Sequence, residues 1–90
     1  MAQTVAQVLS AATDSVTLIN NINDGSMDLA LASMTQAKIN EMVQRNVDHL
    51  TTILSYDSSL EGVPNIVDSS EDKSSYTGAI TTGKAYIAAN

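Results

Sequence analysis

Apolar residues recur along this chain at helical spacing, and over residues 26–54 they do so without a break. Leu29, Ala32, Ile39, Val43, Val47, Leu50 and Leu54 fall within about a quarter turn of one another at ~100° per residue. The stripe predicts one amphipathic helix, roughly 40 Å long at ~1.5 Å rise per residue. Its first part, 27–34, is apolar nearly all round, which predicts contacts on more than one side. Beyond Gln36 the opposite face carries Lys38, Asn40, Glu41, Gln44, Arg45 and Asp48, with Glu41 and Arg45 at a favourable i,i+4 spacing. A helix this long in so short a chain needs cover for its apolar surface, from the chain itself or from another copy.

The flanking segments are simpler. Residues 2–22 repeat Val5, Val8/Leu9, Ala12, Val16, Ile19 and Ile22 at spacings of three and four, a helical stripe. Asn20, Asn21, Asn23, Asp24 and Gly25 then break the pattern with residues that favour turns. So short a connection predicts an antiparallel αα-hairpin, with Asp24 or Ser26 capping the second helix and Asp28 near its positive end. Residues 55–72 read as a loop, which Leu60, Val63, Ile66 and Val67 are expected to pin to the hairpin. In the last segment, 73–89, Tyr76, Ile80, Gly83 and Ile87 form a stripe, preceded by capping chemistry at Ser69–Asp72. Gly78 and Gly83, with Ala79, Ala85, Ala88 and Ala89, make this a slim helix suited to close backbone approach. The expected architecture is all-α: one domain over 1–90, a long antiparallel hairpin plus a shorter C-terminal helix, three helices in all, and oligomeric.

Composition sharpens that expectation. The 90 residues include no Phe or Trp, and the apolar content is mainly Ala, Val, Ile and Leu with four Met. Each buried side chain removes little area from water, so the core is lean and a second copy would add burial. Ten carboxylates face three Lys and one Arg, a formal charge of -6. Lys38, Arg45, Lys73 and Lys84 are scattered, so neither nucleic acid nor an anionic membrane surface is an expected partner. No segment approaches a membrane span, and the opening residues lack the basic stretch of a secretory signal. With no cysteine, thiol chemistry is excluded.

The candidates for chemistry are few. His49 is the one imidazole; Asp48, Ser55 and Asp57 are near it in sequence, but a straight helix sends 48 and 49 about 100° apart. A histidine on the surface or the edge of the stripe is the expected role. Arg45, Asn46, Thr52 and Ile53 occupy the positions where a metal partner for His49 would stand, so no metal site is expected. Aligning Gly25 with the glycine of a calcium loop puts Ile22 and Leu31 at ligand positions, and that match fails. The glycines are isolated, with no phosphate-binding loop. Tyr56, Tyr76 and Tyr86 lack basic neighbours and are expected to anchor packing. What remains is a methionine-bearing flank of the long helix, with Met27, Leu31, Met34 and Met42 as the candidate protein interface. No enzymatic activity, cofactor or small-molecule substrate is expected.

One resemblance bears on function. It is carried by Ala37-Lys38-Ile39-Asn40, by Asn46-Val47-Asp48-His49-Leu50 with Ile53-Leu54, and by Ala79-Ile80-Thr81-Thr82-Gly83-Lys84-Ala85-Tyr86-Ile87. Over about residues 36–90 the chain resembles small uncharacterised helical proteins encoded among bacteriophage and prophage structural genes. The resemblance implies a capsid or tail component, located in the virion, that packs through its long helix on itself or on a larger structural protein. Without a phage origin the expected location is cytoplasmic. The alternative class is a small monomeric helical adaptor or inhibitor of a host protein, with the acidic surface and the 55–72 loop as recognition elements.

Overall fold

The computed structural model describes residues 3–90. It contains four helices, α1 (Val5–Asn23), α2 (Asp28–Leu31), α3 (Gln36–Leu54) and α4 (Ser74–Ala89), and no strand among the described residues. The three long helices form an up-down-up bundle in which every pair is in contact. Ser15 meets Asn46 near the middle of α1 and α3, so these run antiparallel. Tyr76 reaches Leu9 while Gly83 faces Ile19, so α4 runs parallel to α1. The bundle is elongated, 41 × 24 × 18 Å, and its radius of gyration of 14.2 Å exceeds the ~12 Å of a rounded chain this size.

α1 begins where the side chain of Thr4 accepts the amide of Gln7 and the side chain of Gln7 accepts the amide of Thr4. Residue 2, where the sequence pattern opens this helix, lies outside the described residues. α1 ends at Asn23, followed by Asp24, whose carboxylate accepts the Ser26 amide, and by Gly25 at φ +84°. A left-handed residue at that point is inexpensive only for glycine.

The single helix expected over 26–54 is two helices. α2 is one turn, the chain leaves helical form at 32–35, and α3 starts afresh with Thr35 extended (φ -73°, ψ 155°) and its side chain accepting the Lys38 amide. The buried positions confirm the break. On a continuous helix Leu31 and Val43 would point about 120° apart, yet both are buried. Leu29, which continues the stripe of α3 backwards, is 93% exposed. The short hairpin turn is therefore a twelve-residue connector, 24–35, with α2 inside it.

The core is sealed within one chain. α1 supplies Val8, Leu9, Ala12, Ile19 and Ile22, α3 supplies Ile39, Val43, Val47, Leu50 and Ile53, and α4 supplies Ala79 and Gly83. Gly83 is what lets α4 close in: a Cβ there would lie 2.5 Å from Val47 Cγ2 and 3.3 Å from Val43 Cγ1. Gly78 touches nothing of the kind and is exposed. The stripe of α3 that called for outside cover is thus covered by α1 and α4.

The 55–73 segment is fastened at a neck. The carbonyl of Tyr56 accepts the amides of Ile66 (2.7 Å) and Val67 (2.9 Å), and Ile66 is wholly buried beneath them. Ile66 is the pin. Val63 is half-buried, and Leu60 and Val67, also expected to pin the loop, are exposed. Lys73 holds the far side through its ammonium group, which donates to the carbonyls of Ser69 (2.8 Å) and Glu71 (3.3 Å).

Candidate interface

The four apolar residues of the predicted interface do not share a surface. Leu31 is 8% exposed and belongs to the core; Met27 and Met42 are half-buried against it. Met34 is exposed, just past the end of α2. The break at 32–35 is the reason, since it removes the common helical face that would have aligned them. Instead α2 turns Leu31 inward and Leu29 outward, so Leu29 and Met34 are the large apolar side chains that the connector offers to solvent. Leu29 was visible in the sequence as a stripe residue, and no sequence signal marked it as exposed.

The groups considered for catalysis stay apart. His49 is exposed on α3, while the carboxylate of Asp48 accepts the side-chain amide of Gln44 (2.8 Å) on the same helix face. The Ser55 hydroxyl donates to the Thr52 carbonyl, and Asp57 accepts from the amide and hydroxyl of Ser59. No three His, Asp or Glu side chains converge to hold a metal ion among the described residues. Asp48, Ser55 and Asp57 each have a local partner that accounts for them, and His49 lies exposed on α3.

The tyrosines act as anchors across helices. The Tyr76 hydroxyl donates to the Leu9 carbonyl (3.3 Å), tying the first turn of α4 to α1. The Tyr86 hydroxyl accepts from the side-chain amide of Gln36 (2.9 Å), tying the end of α4 to the start of α3. Between them, the Ser15 hydroxyl donates to the side-chain oxygen of Asn46 (2.8 Å), whose amide donates back to the Met42 carbonyl. Ser15 is buried, so this pair satisfies polar atoms inside the bundle and fixes the register of α1 on α3. Position 15 falls on the α1 stripe, seven residues after Val8 and four before Ile19, so the spacing marks it as inward-facing although its side chain is polar.

Two open concavities lie at opposite ends of the bundle. One, about 560 Å³, sits where α1 and α4 end and α3 begins, lined by Asn23, Asp24, Asp28, Gln36, Tyr86 and Asn90 among others. The other, about 380 Å³, lies between Val5 and the 65–71 segment, with Asp68 and Glu71 on its wall. Both are acidic. Three aspartates at element boundaries, Asp24, Asp57 and Asp72, each accept the amide two residues on. These contacts hold their carboxyls below the usual range: for Asp24 and Asp57 the serine side-chain contact contributes most, for Asp72 the Ser74 amide. The positive charges are few. Lys38 pairs with Glu41 at 3.5 Å in place of the expected Glu41–Arg45 pair, and Lys73 is turned to the loop carbonyls. No helix of the described residues is long and apolar enough to cross a membrane.

Neither a family model, nor a curated protein, nor a solved structure matches this chain significantly.

Proposed function

We propose that this chain is a non-enzymatic structural or assembly protein, of the kind its resemblance to small phage-encoded helical proteins implies, and that it engages its partner through the 24–35 connector. The partner is another copy of the chain or a larger capsid or tail protein. The observation that carries this reading is Leu29, 93% exposed on a one-turn helix and followed by exposed Met34. A leucine that open is costly to leave in water; covering it returns about 1.5–3 kcal/mol. The connector replaces the side of a long helix as the contact surface, because the stripe of α3 is already covered. The test is sedimentation of the wild-type chain beside Leu29→Asp. A concentration-dependent rise in mass that the substitution abolishes, with unchanged helix content, supports self-assembly through this surface. A rise that survives the substitution contradicts it.

The sealed core favours the second reading, a monomeric helical adaptor or inhibitor of a host protein. It predicts a wild-type monomer at every concentration and loss of a host-protein pull-down on Leu29→Asp.

A further inference from the structure

We infer that the 32–35 break is a hinge, and that straightening it hands α1 to a second copy of this chain. Residues 26–54 contain neither Gly nor Pro, and their apolar stripe runs through the break in phase. One continuous helix over 28–54 is therefore a permitted state of the same sequence, held off in the closed fold by the Thr35 cap. Leu29 is the residue that gains. Exposed on α2, it would rejoin the stripe led by Ile39 and Val43.

The continuous helix strains the closure of α1 on its own α3. The pairing of Ser15 with Asn46, and of Ile19 and Val43 around Gly83, puts Asn23 level with residues 38–39 of α3. Residue 28 would then stand about 16 Å further along the axis and ~9 Å to the side, some 18 Å away. The five-residue link from 23 to 28 reaches at most about 16–18 Å when pulled straight. That extension would pull the link taut and undo the turn at Asp24–Ser26 with its left-handed Gly25. Release of α1 avoids both losses. Its burial partners Val43, Val47 and Leu50 are presented identically by a second copy, so exchange restores the α1 contacts that release costs, while Leu29 gains the stripe and Leu31 turns away from it.

This deepens the self-assembly arm of the proposed function; a dimer whose α1 stays at home leaves that reading intact and overturns this one. Two hinge variants bias the equilibrium in opposite directions. Ser33→Ala with Thr35→Ala removes the cap and favours the continuous helix, raising the dimer fraction on the order of tenfold. Gln36→Pro suits the closed form, since proline is accepted at a first helical position and Thr35 already has the extended geometry that must precede it. It breaks the continuous helix.

Cysteines read out the exchange, because the chain has none of its own. Ser15→Cys with Asn46→Cys is introduced into wild type and both hinge variants, each refolded at high protein concentration and oxidised. Swapping predicts an interchain bridge on a non-reducing gel, abundant in the alanine variant, present in wild type and lost in Gln36→Pro. A monomeric alanine variant, a dimer with only intrachain bridges, or equal bridging in Gln36→Pro overturns the proposal. If the alanine variant fails to fold, the wild-type and Gln36→Pro comparison decides alone.

Discussion

α3 and α4 fill the same core by opposite means. α3 sends in Ile39, Val43, Val47, Leu50 and Ile53, large side chains on one clean stripe. α4 buries only Ala79 and Gly83 and flanks them with half-buried Tyr76, Ile80, Tyr86 and Ile87. The first helix holds by volume, the second by nearness. A chain without Phe or Trp has little bulk to spend, and bringing one backbone close recovers contacts that bulk would otherwise supply.

The contrast is sharpest under substitution. Leu50 is wholly buried, and Leu50→Ala should cost about 3 kcal/mol in urea unfolding, from lost transfer energy and a cavity. Gly83→Ala should also destabilise, though it adds a methyl group and replaces a poor helix former. The stiff Val47 side chain cannot move aside cheaply from a contact of 2.5 Å, so a net loss of about 1–2 kcal/mol is expected. The same change at Gly78, with open space around it, should stabilise by roughly 0.5–1 kcal/mol. If both glycine variants shift the unfolding midpoint in one direction, nearness is not what holds α4.

The smallest effect is expected from acid. Asp24, Asp57 and Asp72 have carboxyl pKa values lowered in the folded chain. A lowered folded value stabilises above the unfolded pKa of ~3.9 and loses that contribution as pH falls through the folded value. These three groups therefore leave melting temperature flat from neutrality to about pH 4, then lower it. Replacing all three by Asn should blunt the acid limb of a melting series and lower neutral stability by the same small amount. A decline already under way well above pH 4 that the Asn variant removes would assign them a different role.

Much of this fold was legible in the sequence, and the exceptions share a cause. α1 and α4 follow from their spacing, and Asp24 and Gly25 announced a turn, although Asn20, Asn21 and Asn23, read as part of it, are helical and belong to α1. The break at 32–35 was hidden because Ala32 and Met34 are good helix formers and Ala32 keeps the stripe in phase with Ile39. The decision falls to Thr35, whose hydroxyl satisfies an amide at the start of α3, and a lone Ser or Thr inside an apolar pattern carries no warning of that. The choice between Gly78 and Gly83 was partly readable: five residues apart, they point about 140° from each other, so one α4 face can use only one of them. Lys38–Glu41 in place of Glu41–Arg45 reflects surface pairs that differ by only a few tenths of a kcal/mol. The candidate interface was the least legible part, since it depended on a register that the break destroys.

The central claim is that break, together with the sealing of the α3 stripe inside one chain. Amide hydrogen exchange at low protein concentration tests it residue by residue. Thr35, Gln36 and Ala37 stand before or within the first turn of α3, where amides lack intrahelical partners, and should exchange rapidly while Val47 to Leu50 exchange most slowly. Protection at 35–37 equal to that at the centre of α3 would mean one unbroken helix, and would contradict the account.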